Sequence, residues 1–148
     1  MKIYLGSDHN GIELKKQVYD YLKNGGFEVE DQGDVQLNPE DDFPVFAANV
    51  VNAIKLSDDQ DPRGILICGS GQGMCMAANR YKGIRAALCW NIQEAHSARN
   101  DDDCNVLCLS AKSTPIKEAE AIINTWIQTP FAAANRFVRR LRELDELN

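Results

Sequence analysis

The chain has 148 residues, of which 44% are hydrophobic and 26% are charged, and its formal net charge is −6. A chain of this length fits one domain, predicted over residues 1–148, whose single core buries about two thirds of the unfolded surface. The acidic balance argues against broad nucleic-acid binding. No apolar run approaches the roughly 20 residues of a membrane span, and the N-terminus lacks a signal-peptide profile, so neither membrane insertion nor secretion is expected.

The cysteines are odd in number and contain no pair at the C-x-x-C spacing, which argues against a disulfide framework. Several of them lie in apolar runs, which suits a reducing compartment, and we therefore expect a cytoplasmic protein. The five are Cys68, Cys75, Cys89, Cys104 and Cys108.

Short β-rich runs alternate with stretches of helical periodicity along the chain. Strands are predicted over residues 2–7, 27–30, 65–67, 84–89 and 105–109. Helices are predicted over residues 14–22, 44–56 and 91–99, from about 74, and from about 132 to the end. A further helix is predicted with Thr114 as its N-cap and Pro115 as its first residue, up to a break at Thr129 and Pro130.

This alternation implies right-handed βαβ crossovers and a parallel sheet with helices on both faces. We predict an α/β fold: a Rossmann-like, three-layer αβα sandwich of five strands in the flavodoxin-like order 2-1-3-4-5, followed by a C-terminal helix. The helix over residues 44–56 is apolar on nearly every side, which indicates a subunit interface.

A glycine-spaced turn follows the third strand, where Cys68 leads into Gly69, Gly71 and Gly73. Glycines at these positions let backbone N–H groups approach a ligand closely, and a helix N-terminus follows, so the turn suits an anion. It is not a phosphate-binding P-loop, because the required lysine is absent, and it fits the dinucleotide fingerprint poorly.

The position of Cys68 has two interpretations. A cysteine beside backbone donors at a helix N-terminus is in an environment that favours the thiolate. Alternatively, Cys68 is a small core residue in a tight strand-to-helix turn. In the predicted strand order, strands 1 and 3 meet at the topological switch point, which places Asp8 and His9 across one crevice from Cys68 and favours a functional thiol.

Several motifs together resemble the type B ribose-5-phosphate isomerase family, which also includes galactose-6-phosphate isomerase subunits. In order along the chain, they are Gly6-Ser7-Asp8-His9-Asn10-Gly11, Asp42-Phe43-Pro44, Cys68-Gly69-Ser70-Gly71-Gln72-Gly73, Ala77-Ala78-Asn79 and Gly83-Ile84-Arg85-Ala86. The similarity covers nearly the whole chain. It implies a homodimer, with a tetramer as the alternative, that interconverts an aldose phosphate and a ketose phosphate without a metal or an organic cofactor.

The resemblance also implies roles for the residues of the glycine turn. Cys68 would be the base that moves a proton between C1 and C2 of the sugar. In a second branch of the family a glutamate does this, at the position that is Met74 here. The N–H groups of Gly69, Gly71 and Gly73 would hold the developing enediolate oxygen.

The remaining implied site residues surround this turn. Ser70 would tune the thiolate, and Asp8 would hydrogen-bond sugar hydroxyls or assist ring opening. Lys112 stands where the family has a further arginine. Lysine keeps the positive charge but lacks the planar guanidinium that binds an anion through two N–H groups at once. The phosphate would be bound by His9, Arg136 and Arg140.

The chain departs from the family at Asp101 and Asp102, where members commonly have a His-Asn pair whose histidine opens the furanose ring. A protonated Asp101 would still supply an acid, with Asp102 binding substrate, and the family suggests that this loop comes from the partner chain. The alternative is a solvated acidic loop over residues 101–103. His96 is interpreted as a surface histidine of the preceding helix.

Three functions are consistent with these patterns. The leading hypothesis is an aldose–ketose isomerase of a pentose or hexose phosphate, acting through a cis-enediolate. The second is a non-catalytic sugar-phosphate-binding protein that has lost ring opening, and the third is a nucleotide-binding flavodoxin-like module. The basic C-terminal helix is interpreted as a solvated face rather than a nucleic-acid patch.

Overall fold

Strands and helices alternate in the computed structural model, which describes residues 1–147. The strands are β1 (Lys2–Ser7), β2 (Glu28–Asp31), β3 (Arg63–Cys68), β4 (Ala86–Leu88) and β5 (Val106–Ser110). The helices are α1 (Ile12–Asn24), α2 (Phe43–Leu56), α3 (Gln72–Ala78), α4 (Ile92–Asn100), α5 (Ile116–Gln128) and α6 (Asn135–Asp145). Each predicted element is present; β1 has its predicted bounds, and the other strands and helices have shifted ends. Asn148, the end of the predicted domain, lies outside the described residues.

The five strands form one parallel sheet in the order β2-β1-β3-β5-β4, so the predicted order 2-1-3-4-5 is wrong in its last two positions. Burial explains the difference. All five residues of β5 are buried, which suits a strand with neighbours on both sides, whereas the three residues of β4 are only partly buried and lie at the edge. Consequently β5, and not β4, lies beside β3.

Two apolar layers cover the sheet, as the predicted three-layer sandwich requires. On one face, α1, α4 and α5 pack over a cluster that includes Ile3, Val18 and Trp126. On the other face, α2 and α3 pack over a cluster that includes Val50 and Met74. The predicted αβα architecture is therefore confirmed.

The predicted N-cap of α5 is wrong by one residue. Pro115 holds the N-cap position, with φ −58° and ψ 152°, and its carbonyl accepts the N–H groups of Glu118 at 3.0 Å and Ala119 at 2.9 Å. The extended ψ keeps Pro115 outside the helix, although its φ is compatible with a first helical residue. Thr114 is buried behind it.

The parallel strands give the sheet two distinct edges. Their carboxyl ends, at Ser7, Cys68 and Ser110, form one edge. The segment over residues 101–105 precedes β5 and lies at the opposite, amino edge, where the Gly64 N–H donates to the Asn105 carbonyl at 2.9 Å. Helix α6 also lies there, because the Ala132 N–H donates to the Asn100 carbonyl at 3.0 Å.

Candidate functional site

The strand order puts the topological switch point between β1 and β3, so a crevice is expected there at the carboxyl edge. The Asp8 N–H donates to the Ile67 carbonyl across it at 3.3 Å, which places Asp8 beside Cys68, as the strand topology predicted. The Asp8 side chain is buried, and its Oδ1 accepts the N–H of Asn10 at 3.0 Å. This bond holds the Asp8–His9–Asn10 turn in place above the crevice.

Cys68 is the last residue of β3 and is only 5% exposed. It belongs to the apolar cluster under α2 and α3, together with Met74 and Cys108. This packing matches the interpretation of Cys68 as a small core residue, whereas the adjacent crevice and glycine turn match that of a base.

The glycine turn has backbone groups available for such a role. Within residues 1–147, the N–H groups of Gly69 and Gly71 donate to no acceptor outside the regular elements. Gly71 has φ +77°, and a Cβ at this position would lie 2.5 Å from Cδ1 of Leu88, so only glycine fits. Gly73 packs against the ring of Phe43, and exposed Ser70 accepts the Gln72 N–H at 3.4 Å.

The side chains of Lys112 and Asn10 both lie close to Gly69. A Cβ built on Gly69 would lie 3.2 Å from Cε of Lys112 and 3.6 Å from Cγ of Asn10. The Lys112 N–H also donates to the Gly69 carbonyl at 3.0 Å, which the neighbouring position of β5 makes possible. The structure therefore brings Lys112 to the crevice; Asn10, which the site prediction omitted, joins it there.

His9 contacts a carboxylate from a distant part of the sequence. Its Nδ1 lies 2.5 Å from Oδ1 of Asp41, in the loop before α2, and its Nε2 lies 3.0 Å from Nδ2 of Asn10. The hydrogen bond to Asp41 raises the pKa of His9 above its ordinary value, and the charges of Asp8 and Glu40 act in the same direction. Sequence reasoning missed Asp41, because no local pattern links it to His9.

Asp8, His9 and Asp41 also offer ligand atoms that lie within 4.8 Å of one another. Nδ1 of His9 and Oδ1 of Asp41 already bond to each other, so a cation would have to break this contact. The arrangement is therefore a hydrogen-bonded acid–imidazole group. The expectation of a metal-free site stays a prediction.

A second group of predicted site residues lies at the amino edge. Partial burial and the charge of Asp101 raise the pKa of Asp102, while Arg140 and Arg85 oppose this shift. Arg136 and Arg140 lie on α6, exposed, and neither forms an ion pair within residues 1–147. The Arg136 guanidinium lies 4.5 Å from the ring of Phe137.

The acidic loop is held by two arginines that the site prediction omitted. Arg85 and Arg99 bind the two carboxylate oxygens of Asp103 at 2.8 and 2.9 Å, and Arg85 also donates to the carbonyl of Asp102 at 3.0 Å. The interpretation as a solvated loop is therefore wrong for Asp103, which has a structural role. His96 is exposed on α4, as predicted for a surface histidine.

One chain does not bring the two groups together. Gly64 pairs with Val106 at the amino edge, and Cys68 lies four strand residues further on, about 13 Å at 3.3 Å per residue. Asp101, Asp102, Arg136 and Arg140 lie on the amino-edge side of Gly64. The predicted set is therefore complete at one crevice only if a second copy supplies these four residues.

Cys75 is a second thiol that the site prediction omitted. It lies on α3, half-buried, with its Sγ 3.4 Å from the carbonyl oxygen of Ala86. A hydrogen bond from Cys108 lowers the pKa of Cys75 to about 7, whereas burial raises that of Cys108 well above its ordinary value. Cys75 is therefore an alternative candidate for the catalytic base, and experiments must distinguish it from Cys68.

The fold and the crevice together define a class of protein. A thiol, a carboxylate, an imidazole and unpaired backbone donors meet at the switch point of a parallel sheet, which suits acid–base chemistry on a small anionic molecule. Within residues 1–147, no helix is both long and apolar enough to cross a membrane.

Comparison with known proteins then identifies the family. Residues 3–144 match the family model described as Ribose/Galactose Isomerase, and the chain belongs to this family. A crystal structure of a ribose 5-phosphate isomerase from Thermotoga maritima is 44% identical, with a TM-score of 0.93, and covers 99% of this chain and 98% of that one.

Two further relatives bear on the substrate. A ribose-5-phosphate isomerase B from Mycoplasma genitalium, solved with bound ribulose-5-phosphate, is 39% identical with a TM-score of 0.91 and covers 98% of this chain and 94% of that one. A D-erythrulose-4-phosphate isomerase from Pectobacterium atrosepticum is 36% identical over 131 residues, covering 88% of this chain and 85% of the relative.

Proposed function

We propose that this protein isomerises an aldose phosphate to a ketose phosphate, with ribose 5-phosphate and ribulose 5-phosphate as the leading pair and related pentose or hexose phosphates as alternatives. The observation that carries the proposal is the position of Cys68, beside Asp8 and the glycine turn, in a chain of the ribose/galactose isomerase family. The substrate-bound relative supports the choice of a pentose phosphate.

In the proposed reaction Cys68 acts as the base. Its thiolate removes the proton from C2 of the open-chain aldose, and the C–H electron pair forms the C1=C2 double bond while the carbonyl oxygen at C1 becomes an anion. The resulting thiol returns the proton to C1. The C2 hydroxyl loses its proton to form the ketone, and the oxygen at C1 is protonated to a hydroxyl.

The glycine turn would stabilise the anionic intermediate. The N–H groups of Gly69 and Gly71 are free to donate, and Gly73 follows at the start of α3. Donors preorganised around a developing oxyanion contribute about 3 to 4 kcal/mol each. Ser70, beside them, would tune the thiolate. Asp8 is buried next to this turn and would bind the sugar hydroxyls.

Residues from two chains would bind the phosphate and supply the acid for ring opening. His9 and Lys112 lie at the crevice of one chain. The partner of a homodimer would supply Arg136 and Arg140 for the phosphate. It would also supply Asp101 as acid in ring opening, with Asp102 binding the substrate. This arrangement would join the two edges of the sheet that one chain keeps apart.

A kinetic panel tests the proposed function. Ketose formation would be followed for tetrose, pentose and hexose phosphates, with wild type and Cys68→Ala. We expect turnover of at least one pentose or hexose phosphate, and a loss of kcat of about a thousandfold or more in Cys68→Ala, as removal of a catalytic base or nucleophile produces. A wild-type protein that binds sugar phosphates without converting any of them would contradict the proposal and favour the non-catalytic alternative.

A further inference from the structure

The contact between His9 and Asp41 joins the proposed phosphate-binding turn to a loop that neither the sequence motifs nor the family relationship assigns to the site. We propose that Asp41 is a positioning residue for substrate phosphate: it orients the His9 ring and holds it in the protonated form that binds the anion. The inference rests on the proposed function only in naming a sugar phosphate as the ligand.

The fold delivers Asp41 to His9 by fixing both ends of the intervening loop. At its start, the Ser7 N–H donates to the Gly33 carbonyl at 2.7 Å and the Asp34 N–H donates to the Ser7 carbonyl at 2.8 Å. At its end, Asp41 is followed by Asp42, the N-cap residue of α2, which starts at Phe43. The loop is therefore a defined part of the carboxyl edge.

A buried lysine strengthens the start of this loop. Lys15 on α1 is 3% exposed, and its Nζ donates to the carboxylate of Asp31 at 2.7 and 2.8 Å and to the carbonyl of Asp34 at 2.6 Å. A charged group is rarely buried without partners, so these three bonds account for the position of Lys15. They hold the end of β2 and the start of the loop against α1, and Asp34 also makes one of the bonds to Ser7.

The surroundings of Asp41 favour a charged His9. The Asp41 side chain is only 6% exposed, its Oδ1 bonds to Nδ1 of His9, and its buried Oδ2 has no partner within residues 1–147. A buried carboxylate requires a compensating charge, and the imidazolium is the group in contact with it. The bond also fixes which nitrogen faces the acid.

With Nδ1 bonded to Asp41, Nε2 is the nitrogen that faces the crevice. It lies 3.0 Å from Nδ2 of Asn10, a donor that pairs with an unprotonated Nε2, so protonation of the ring requires this amide to present its oxygen instead. The Cγ of Asn10 is near Gly69. A protonated ring would donate its Nε2 hydrogen to a phosphate oxygen there, a charge-assisted hydrogen bond of the strong kind. Asp41 thus acts through His9 and touches no substrate atom.

The charged groups around His9 determine the pH dependence. Asp41, Asp8 and Glu40 are carboxylates that raise the pKa of His9, and Lys112 is the nearby cation across Gly69. A raised pKa keeps the ring protonated to higher pH, so phosphate binding is retained until the pH passes the pKa of His9 in the folded protein. Without Asp41, binding would weaken at a lower pH.

The test compares Asp41→Asn with the matched control Glu40→Gln, which removes a carboxylate of the same loop that makes no hydrogen bond to His9. NMR titration of labelled histidine follows the His9 ring, which is assigned with His96→Gln because the chain has only two histidines. We expect the pKa of His9 to fall towards the ordinary value in Asp41→Asn and to change little in Glu40→Gln.

Kinetics give the second readout. We expect KM for the sugar phosphate to rise about tenfold in Asp41→Asn near neutral pH, with kcat changed less than about twofold, because the substitution weakens binding of a remote phosphate. Partial rescue by Asp41→Glu would support positioning. Unaltered titration of His9 in Asp41→Asn, or an unaltered KM, would overturn the proposal.

The positioning role of Asp41 can be tested even if the wild-type protein converts no sugar phosphate. In that case inorganic phosphate is titrated into wild type and Asp41→Asn while the His9 resonances are followed. Weaker phosphate binding by Asp41→Asn would support the role of Asp41, and equal binding, or no response of His9 to phosphate, would overturn it. Failure of the isomerase function and failure of the positioning role are thereby distinguished.

Discussion

The thiol of Cys68 lies where an apolar layer meets a polar crevice. Its own strand and helix α3 bury it, while Asp8 and the glycine turn lie at the crevice beside it. A base in this position is shielded from water on one side and has unpaired N–H groups on the other. Because partial exclusion of water strengthens the electrostatic interactions between the base, the backbone donors and an anionic intermediate, such shielding suits the proposed chemistry.

Replacing Arg140 tests whether this single side chain contributes to phosphate binding. We expect Arg140→Ala to raise KM for the sugar phosphate about ten- to a hundredfold, because a charge-assisted contact to phosphate is lost, with a smaller effect on kcat. Arg139→Ala is the matched control, since Arg139 lies on the same helix but pairs with Glu143. Equal KM values for the two variants in steady-state assays would remove Arg140 from the site.

Sequence reasoning at this scale places residues together where they directly follow the ends of predicted strands. Asp8, His9, Cys68 and the glycines were placed together because strand ends of a parallel sheet meet at one edge. Asp41 was missed because it lies in a polar loop without periodicity, 32 residues from His9, and only the loop's bonds to Ser7 bring it to the crevice.

The loop between β2 and α2 is the element on which the candidate site depends most. It pairs with the end of β1, it carries Asp41, and it is held to α1 by Lys15. Its position therefore couples the packing of α1 to the geometry of the crevice. A change far from the crevice is expected to reach the site through this loop.

Lys15→Met tests that coupling. The substitution keeps much of the apolar stem but removes two hydrogen bonds to Asp31 at the end of β2 and one to the Asp34 carbonyl in the loop. We therefore expect the free energy of unfolding to fall by about 2 kcal/mol. The estimate is below that for a fully buried pair because the Asp31 side chain is 31% exposed. Denaturant unfolding provides the measurement, with exposed Lys16→Met as control. Equal stability of the two variants would show that the Lys15 bonds contribute nothing.

The order of the last two strands illustrates what element-level patterns leave open. The alternation of strands and helices predicted a five-stranded parallel sheet, and this is confirmed. Local patterns do not say which of two consecutive strands takes the inner position. All five residues of β5 are buried, whereas the residues of β4 are only partly buried and directly follow the charged Arg85. The observed order becomes evident only when the two strands are compared in this way.

At the scale of the whole molecule, the site residues are divided between opposite edges of the sheet. The base, the glycine turn and His9 lie at one edge, and Arg140 and the acidic loop lie at the other. Sequence analysis assigned both groups to one site but gave no distance between them. The division makes a symmetric dimer, with two complete crevices between the chains, the simplest arrangement that uses every predicted residue.

Mixing two defective variants, assayed at a substrate concentration well below the wild-type KM, tests the shared crevice. In a mixed dimer of Cys68→Ala and Arg140→Ala chains, one crevice carries both substitutions and the other carries neither. If exchange is random, half of the dimers are mixed, so we expect about a quarter of wild-type activity to return. Each variant alone, taken through the same exchange, is the control. If activity does not return although mixed dimers form, the two residues act within one chain.

The most direct test of the central claim, that Cys68 moves the proton, follows hydrogen exchange on the sugar itself. In deuterated water, NMR would record deuterium entering C1 of the ketose phosphate and C2 of the aldose phosphate. We expect wild type and Cys75→Ala to incorporate the label during isomerisation and Cys68→Ala to incorporate none above the uncatalysed rate. Incorporation by Cys68→Ala at the wild-type rate, or its loss in Cys75→Ala alone, would contradict the account.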